Sequence, residues 1–241
     1  MYNDDTILRE LHAWQKQMQK RPSLLNKAAK RMQTKINNLI PEKAHRAITA
    51  VIKKMVQVVL FGSRHTTAKP LQNASLPVRE IKVLEKINQY RKTAAVEGGI
   101  TGAGGFLMGL ADFPLLLGIK IKLLFDIAHL YGYSTDTYKE RIYLLHIFQL
   151  AFSSQEHRRD VYLKMQQWDQ QYPDIASKPD DFDWRTFQQE YRDYIDLAKM
   201  AQLIPIIGAP VGVVVNYRLV KKLGITAMNA YRMRWFEDHR M

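Results

Sequence analysis

Residues 98–131, GGITGAGGFLMGLADFPLLLGIKIKLLFDIAHLY, decide the fold. Asp112 is a good N-cap and Pro114 falls in the first turn behind it, so a helix is predicted over Phe113 to Tyr131. That segment is apolar nearly all round, as is Tyr138 to Phe152, and a helix with no polar face belongs in a core or a membrane. Upstream, Val78 to Ala95 reads as a helix with Ile81, Leu84 and Ile87 on one side. Downstream, Trp184 to Met200 and Arg218 to Trp235 read the same way, around a more polar stretch at 155–183. Alternating strand patterns and repeats of 20–50 residues are missing from the sequence. The prediction is an all-α protein: a single helical domain with central apolar, Gly-rich helices.

Two glycine-bearing segments need a decision between water and lipid. Residues 98–119 carry one charge, Asp112, and residues 201–217 carry none. A span needs about 20 apolar residues. In the first segment the apolar side chains contribute roughly −3 to −5 kcal/mol, and Asp112 returns about +3. Two prolines and Asn216 weaken the second, so neither is expected to span. The pairs Gly98/Gly102, Gly105/Gly109 and Gly208/Gly212 have the GxxxG spacing that brings helices close. They are expected to pack the two segments as adjacent helices at the domain centre, able to dip into lipid. The glycine run is not a nucleotide loop, since no Lys-Ser/Thr follows Gly104-Gly105.

The rest of the composition speaks to partners. The 241 residues include 36 Lys+Arg against 23 Asp+Glu, a net charge of +13, and no cysteine. The absence of cysteine excludes disulfides and thiolate chemistry and favours a reducing compartment. The charged, amphipathic N-terminus does not resemble a secretory signal. Residues 1–97 hold a net +12 of the charge, and Lys16 to Lys54 has eleven basic residues against Glu42 alone. Apolar stripes (Ile7, Leu8, Leu11, Trp14, Met18; then Leu25, Ala28, Met32, Ile36; then Ile48, Val51, Ile52, Met55, Val59) make this a set of basic amphipathic helices. The expected organisation is a basic helical region at 1–63, a linker at 64–77 and the main all-α domain at 78–241. Lys16, Lys20, Arg21, Lys27, Lys30, Arg31, Lys35, Lys53 and Lys54 are the candidate contacts to an anionic lipid surface or an anionic partner. Nucleic acid is not expected, because no recognition motif accompanies the charge.

Catalytic signals are sparse. Neither HExxH nor GxSxG occurs. Glu42/His45 and Asp126/His129 have acid-x-x-His spacing, which di-iron bundles use together with carboxylates from further helices. Asp112, Asp126, His129, Glu140 and Arg141 interrupt apolar helices and are candidate buried polar residues, with Arg141 expected to pair with one of the acids. No metal and no cofactor are expected.

From Glu97 onward the chain resembles the EcsC family, a bacterial group named for the third gene of an ABC-transporter operon. The resemblance rests on Gly98-Gly99-x-x-Gly102-x-Gly104-Gly105-Phe106, Asp112-x-Pro114, Asp126-Ile127-Ala128 with Tyr131-Gly132-Tyr133, and Glu140-Arg141. It continues through Ile204-Pro205-x-Ile207-Gly208-Ala209 and Asn216-Tyr217 to Arg234-Trp235-Phe236-Glu237. It implies a helical domain with Gly-rich apolar stretches, carries over no active-site residues, and suggests through operon context work beside ABC transporter subunits.

Charge and hydropathy lead to a peripheral protein on the cytoplasmic face of the cell membrane, the sparse catalytic signals make it non-catalytic by expectation, and the family resemblance implies a role accessory to an ABC exporter. Two other readings use the same residues. One is a soluble module docking on an acidic protein partner. The other is a metal-dependent enzyme using Asp112, Asp126, His129 and Glu140.

Overall fold

A computed structural model describes residues 3–20, 69–103, 113–153, 155–171 and 208–239, together with Ala50, Lys54, Val58 and Val59. The described residues form α1 (Asp4–Met18), α2 (Leu76–Ala103), α3 (Phe113–Tyr131), α4 (Tyr138–Phe152), α5 (Gln155–Met165), α6 (Trp168–Gln171) and α7 (Gly208–Asp238), with no strand among them. The fold is all-α.

The two apolar helices have the bounds their sequence predicts. Thr137 caps α4 by accepting the Glu140 N–H at 3.2 Å, and from Glu140 to Phe152 every α4 side chain is buried, His146 only partly. Helix α4 is therefore the central one, which is why it needs no polar face. Helix α3 turns Leu116, Leu117, Leu123, Leu124, Ile127, Ala128 and Tyr131 inward at three- and four-residue steps and leaves its Leu115 side open. At the N-terminus, Asn3 caps α1 by accepting from the Thr6 N–H at 3.1 Å. Helix α1 then buries Ile7, Leu11 and Met18, and Trp14 meets Tyr162 of α5 edge-on at 5.9 Å.

The main architectural pair is α2 with α7. On α2 the inward stripe is Leu76, Glu80, Val83, Ile87, Ala94 and Gly98. On α7 the residues that meet it include Val213, Tyr217, Gly224 and Arg232. The three- and four-residue steps of the α2 stripe are the heptad pattern of a long helix–helix seam. Glu80 meets Arg232, Ile87 lies against Gly224, Arg91 stacks on Tyr217, and Gly99 abuts Val213, so the helices run antiparallel along nearly their whole length. A Cβ on Gly224 would come within 2.5 Å of Ile87 Cγ1, so glycine is what permits the close approach at mid-seam. Helix α3 packs on both: antiparallel to α2, through Tyr90 to Asp126, and parallel to α7, through Tyr131 stacked on Tyr231.

Three sequence expectations change. Helix α2 does not stop at Ala95; it runs on through Gly98 and Gly99 to Ala103, because α7 accompanies it. Likewise α7 begins at Gly208 rather than Arg218, taking in half of the apolar 201–217 segment. Ile81 and Leu84, grouped with Ile87 by spacing, are exposed; the buried stripe is rotated onto Val83 and carries an acid, Glu80. The segments predicted as helices at 23–40 and 184–200 lie outside the described residues. Of the third basic helix, Val59 is buried and Lys54 exposed, as its stripe requires.

Candidate functional site

The two ends of the α2–α3–α7 assembly differ in chemistry. At the end holding the α7 C-terminus, two arginines point to opposite sides of that helix. Arg232 is 3% exposed and forks onto the fully buried Glu80 of α2, Nε donating at 2.9 Å and Nη2 at 2.6 Å. Its Nη2 also reaches Glu10 of α1 at 3.0 Å, and Nη1 donates to Asn229. The Tyr131 hydroxyl donates to the same Glu80. Two residues on, Arg234 donates to Glu140 of α4 at 2.6 Å and forks onto Asp169 of α6 at 2.7 and 3.1 Å. Tyr231 donates to Glu140 at 2.5 Å, and Lys139 pairs with Asp169 at 2.8 Å. One turn of α7 thus fastens α1 and α2 on one side and α4 and α6 on the other.

These pairings set the charge states. Burial alone disfavours the Arg234 cation, but Glu140 and the rings of Tyr143, Tyr133 and Tyr231 outweigh it and raise its pKa. Burial also pushes the Asp169 carboxyl up, and Arg234 and Lys139 overcome that to hold it below the usual carboxylate range. Burial drives Tyr143 and Tyr231 well above 10, so both stay neutral. Arg79 completes this end, donating to the carbonyls of Ala74, Leu71 and Leu130 at 2.8–2.9 Å. It thereby caps the last turn of α3 and pins part of the segment before α2.

The opposite end is apolar. There the α2 C-terminus, the α3 N-terminus and the α7 N-terminus come together. Val96 (64% exposed), Leu115 (52%), Val213 and Val214 face solvent. A Cβ on Gly99 would lie 2.8 Å from Val213 Cγ2, so the two glycine-bearing segments do meet, as adjacent helices. They meet at one end of the described helices, where Val213 and Val214 are exposed.

The predicted residues distribute as follows. Gly98 is buried in α2; Gly102 belongs to the same helix, and Gly208 and Gly212 open α7. Gly105, Gly109 and Asp112 lie outside the described residues. So do Arg21, Lys27, Lys30, Arg31, Lys35 and Lys53, whereas Lys16, Lys20 and Lys54 are exposed. Asp126 accepts from Tyr90 at 2.8 Å and pairs with Lys122 and Lys86 at 3.5 and 3.9 Å. His129 is buried and turns elsewhere: Nε2 meets Thr135 Oγ1 at 3.0 Å, while Nδ1 has no hydrogen-bond partner. Burial lowers its pKa. Arg141 donates Nε to the Thr135 carbonyl at 2.8 Å, and the guanidinium that meets Glu140 is that of Arg234. Among the described residues no three His, Asp or Glu side chains gather as a metal site would require. No described helix is long and apolar enough to cross a membrane.

The sequence missed Glu80, Asp169, Arg232 and Arg234 as a unit. A signal was present: Glu80 occupies an inward heptad position of α2, where an acid demands a buried partner.

A family model described as EcsC protein family matches residues 5–236. "Protein EcsC" of Bacillus subtilis (strain 168) is 42% identical over 240 residues, covering 99% of this chain and 98% of that protein. "Uncharacterized protein YdbA" of the same organism is 27% identical over 250 residues, covering 94% and 90%. No solved structure matches. Tyr131, Tyr133, Glu140 and Arg234, all part of the motifs that carry the resemblance, stand together in the buried polar network.

Proposed function

The chain belongs to the EcsC protein family, and from that premise we propose that it is a non-catalytic, peripheral membrane protein acting on the cytoplasmic face beside an ABC exporter. The observation that carries this reading is the charge distribution: eleven basic residues against one acid between Lys16 and Lys54, in a chain whose described helices are unable to cross a bilayer. Each Lys or Arg near an anionic leaflet contributes about 1 kcal/mol. Four or five of them supply about 4–5 kcal/mol, enough for reversible attachment. The best-organised polar groups of the described fold are consumed in holding helices together. Glu140 and Glu80 are engaged by arginines and tyrosines.

The exporter as neighbour follows from the operon for which the family is named. The test is charge reversal. Lys27→Glu, Lys30→Glu, Arg31→Glu and Lys35→Glu combined should release the protein from phosphatidylglycerol vesicles while its helicity stays unchanged. Retained binding would remove the electrostatic basis. Binding to an acidic transporter subunit with none to lipid would shift the proposal to a protein-docking module.

A further inference from the structure

We infer that the apolar tip formed by the α2 C-terminus and the α3 and α7 N-termini is a wedge that enters the headgroup–acyl boundary of an anionic leaflet, seated by a ring of basic side chains behind it. This rests on the peripheral-membrane reading above and adds to it an orientation and an inserted surface. The α2 C-terminus and the α7 N-terminus are level, and α3 begins about five residues, roughly 7.5 Å, behind them. Gly99 abuts Val213, and the 131-beside-231 register of the parallel α3 and α7, carried back along both helices, brings Leu115 level with Val214 and Val215.

Each helix is uncharged at this end: residues 98–103 of α2, 113–119 of α3 and 208–217 of α7. Four apolar side chains, Val96, Leu115, Val213 and Val214, stand exposed there, and beside them Gly118 faces open space. Behind the tip come exposed cations on all three helices. Lys122 is nine residues into α3, about 13 Å at 1.5 Å per residue. Arg218 is ten residues into α7 and Lys92 eleven from the end of α2, about 15 and 16 Å. Arg91, beside Lys92, lies over the Tyr217 ring at 3.8 Å and ties the ring of cations to both helices.

Acids are sparse on this side. Helix α7 has none before Glu237 and α3 none before Asp126, which is itself paired with Lys122. Glu97 of α2 and Asp112, which directly precedes α3 in the sequence, are the exceptions. Their place limits entry to the interfacial depth of about 5–10 Å reached by amphipathic elements, and leaves the cations at the phosphates. Apolar side chains capped by a basic collar match one occupant by chemistry, an anionic lipid surface.

The chain has no cysteine, so single-cysteine labels report cleanly. Leu115→Cys and Val214→Cys, and Ser134→Cys at the opposite end, would each carry an environment-sensitive fluorophore. With vesicles of phosphatidylcholine and phosphatidylglycerol, emission at 115 and 214 should rise several-fold and be quenched by nitroxides on the acyl chains. Emission at 134 should not change. Protein that co-sediments with the vesicles while the labels at 115 and 214 stay in water overturns the wedge and leaves peripheral attachment standing. No co-sedimentation at all removes the attachment and the wedge together. Emission that rises with protein concentration without vesicles would assign the tip to a second copy and overturn the proposal. As a label-free check, Leu115→Ser with Val214→Ser should weaken vesicle affinity at least tenfold at unchanged helicity, and unchanged affinity would overturn the proposal.

Discussion

Arg232 and Glu80 offer the sharpest test of how the fold is held. Both are essentially excluded from water, at 3% and 0% exposure, and they are joined by a two-bond fork. Removing one member of a buried pair strands the other charge and costs about 3–5 kcal/mol. Arg232→Met should sit at the upper end, because Glu80 is left in a dry site beside the Tyr131 hydroxyl. Glu80→Ala should sit at the lower end, because Glu10 and Asn229 still accept from Arg232. A domain commands only about 5–15 kcal/mol in total, so either variant should melt far below the parent. Glu80→Leu with Arg232→Met removes both charges. What remains is the lost partner of the Tyr131 hydroxyl, about 1–3 kcal/mol. The double variant should therefore be more stable than the sum of the singles by several kcal/mol, read from urea midpoints by circular dichroism. Additive singles, or singles costing less than about 1 kcal/mol, would refute the claim that this fork fastens α7 to α2.

Three further outcomes follow from particular residues. Gly224→Ala places a Cβ 2.5 Å from Ile87 Cγ1; overpacking of about 1–3 kcal/mol should exceed the roughly 1 kcal/mol gained in helix propensity, lowering the melting temperature. Gly118→Ala meets nothing within 4 Å and should instead stabilise by about 0.5–1 kcal/mol in the same assay. The third is a pH dependence. Burial pushes the His146 imidazole down to about 4, against about 6.5 in the unfolded chain, and lowers His129 as well. Between those values the unfolded chain holds more protons. Stability is therefore full above pH about 6.5 and falls as pH drops toward 4, by up to about 1.4 kcal/mol per pH unit for each histidine. His146→Gln should flatten that slope in urea titrations, and an unchanged slope would show that His146 does not contribute. Asp169, held low mainly by Arg234, loses its share only below the ordinary carboxylate range, in a separate window.

Much of this architecture was legible in the sequence, and the gaps have physical reasons. The bounds of α3 and α4 could be read because both are long apolar runs, the first opened in the sequence by Asp112 and Pro114. The end of α2 and the start of α7 could not, because glycine and proline argue locally against helix where the partner helix overrides them at the Gly99–Val213 contact. Ile81 and Leu84 fit a stripe by spacing. The stripe that is buried includes Glu80, which a search for apolar periodicity passes over. The polar core was hidden for another reason: Arg232 and Arg234 find Glu80 and Glu140 across 152 and 94 residues of sequence, and no local pattern encodes that pairing. The apolar tip was half legible. The two glycine-bearing segments and their adjacency could be read, but their place at one end of the described helices depends on the direction in which α2, α3 and α7 run.

The central claim, attachment to anionic lipid through positive charge, is tested most directly by flotation of the intact chain with phosphatidylglycerol-containing and purely neutral vesicles across a series of salt concentrations. Flotation is expected with the anionic vesicles at low salt, with a floated fraction that falls as salt rises, and none with neutral vesicles. Equal flotation with both lipids, or none with either, would contradict it.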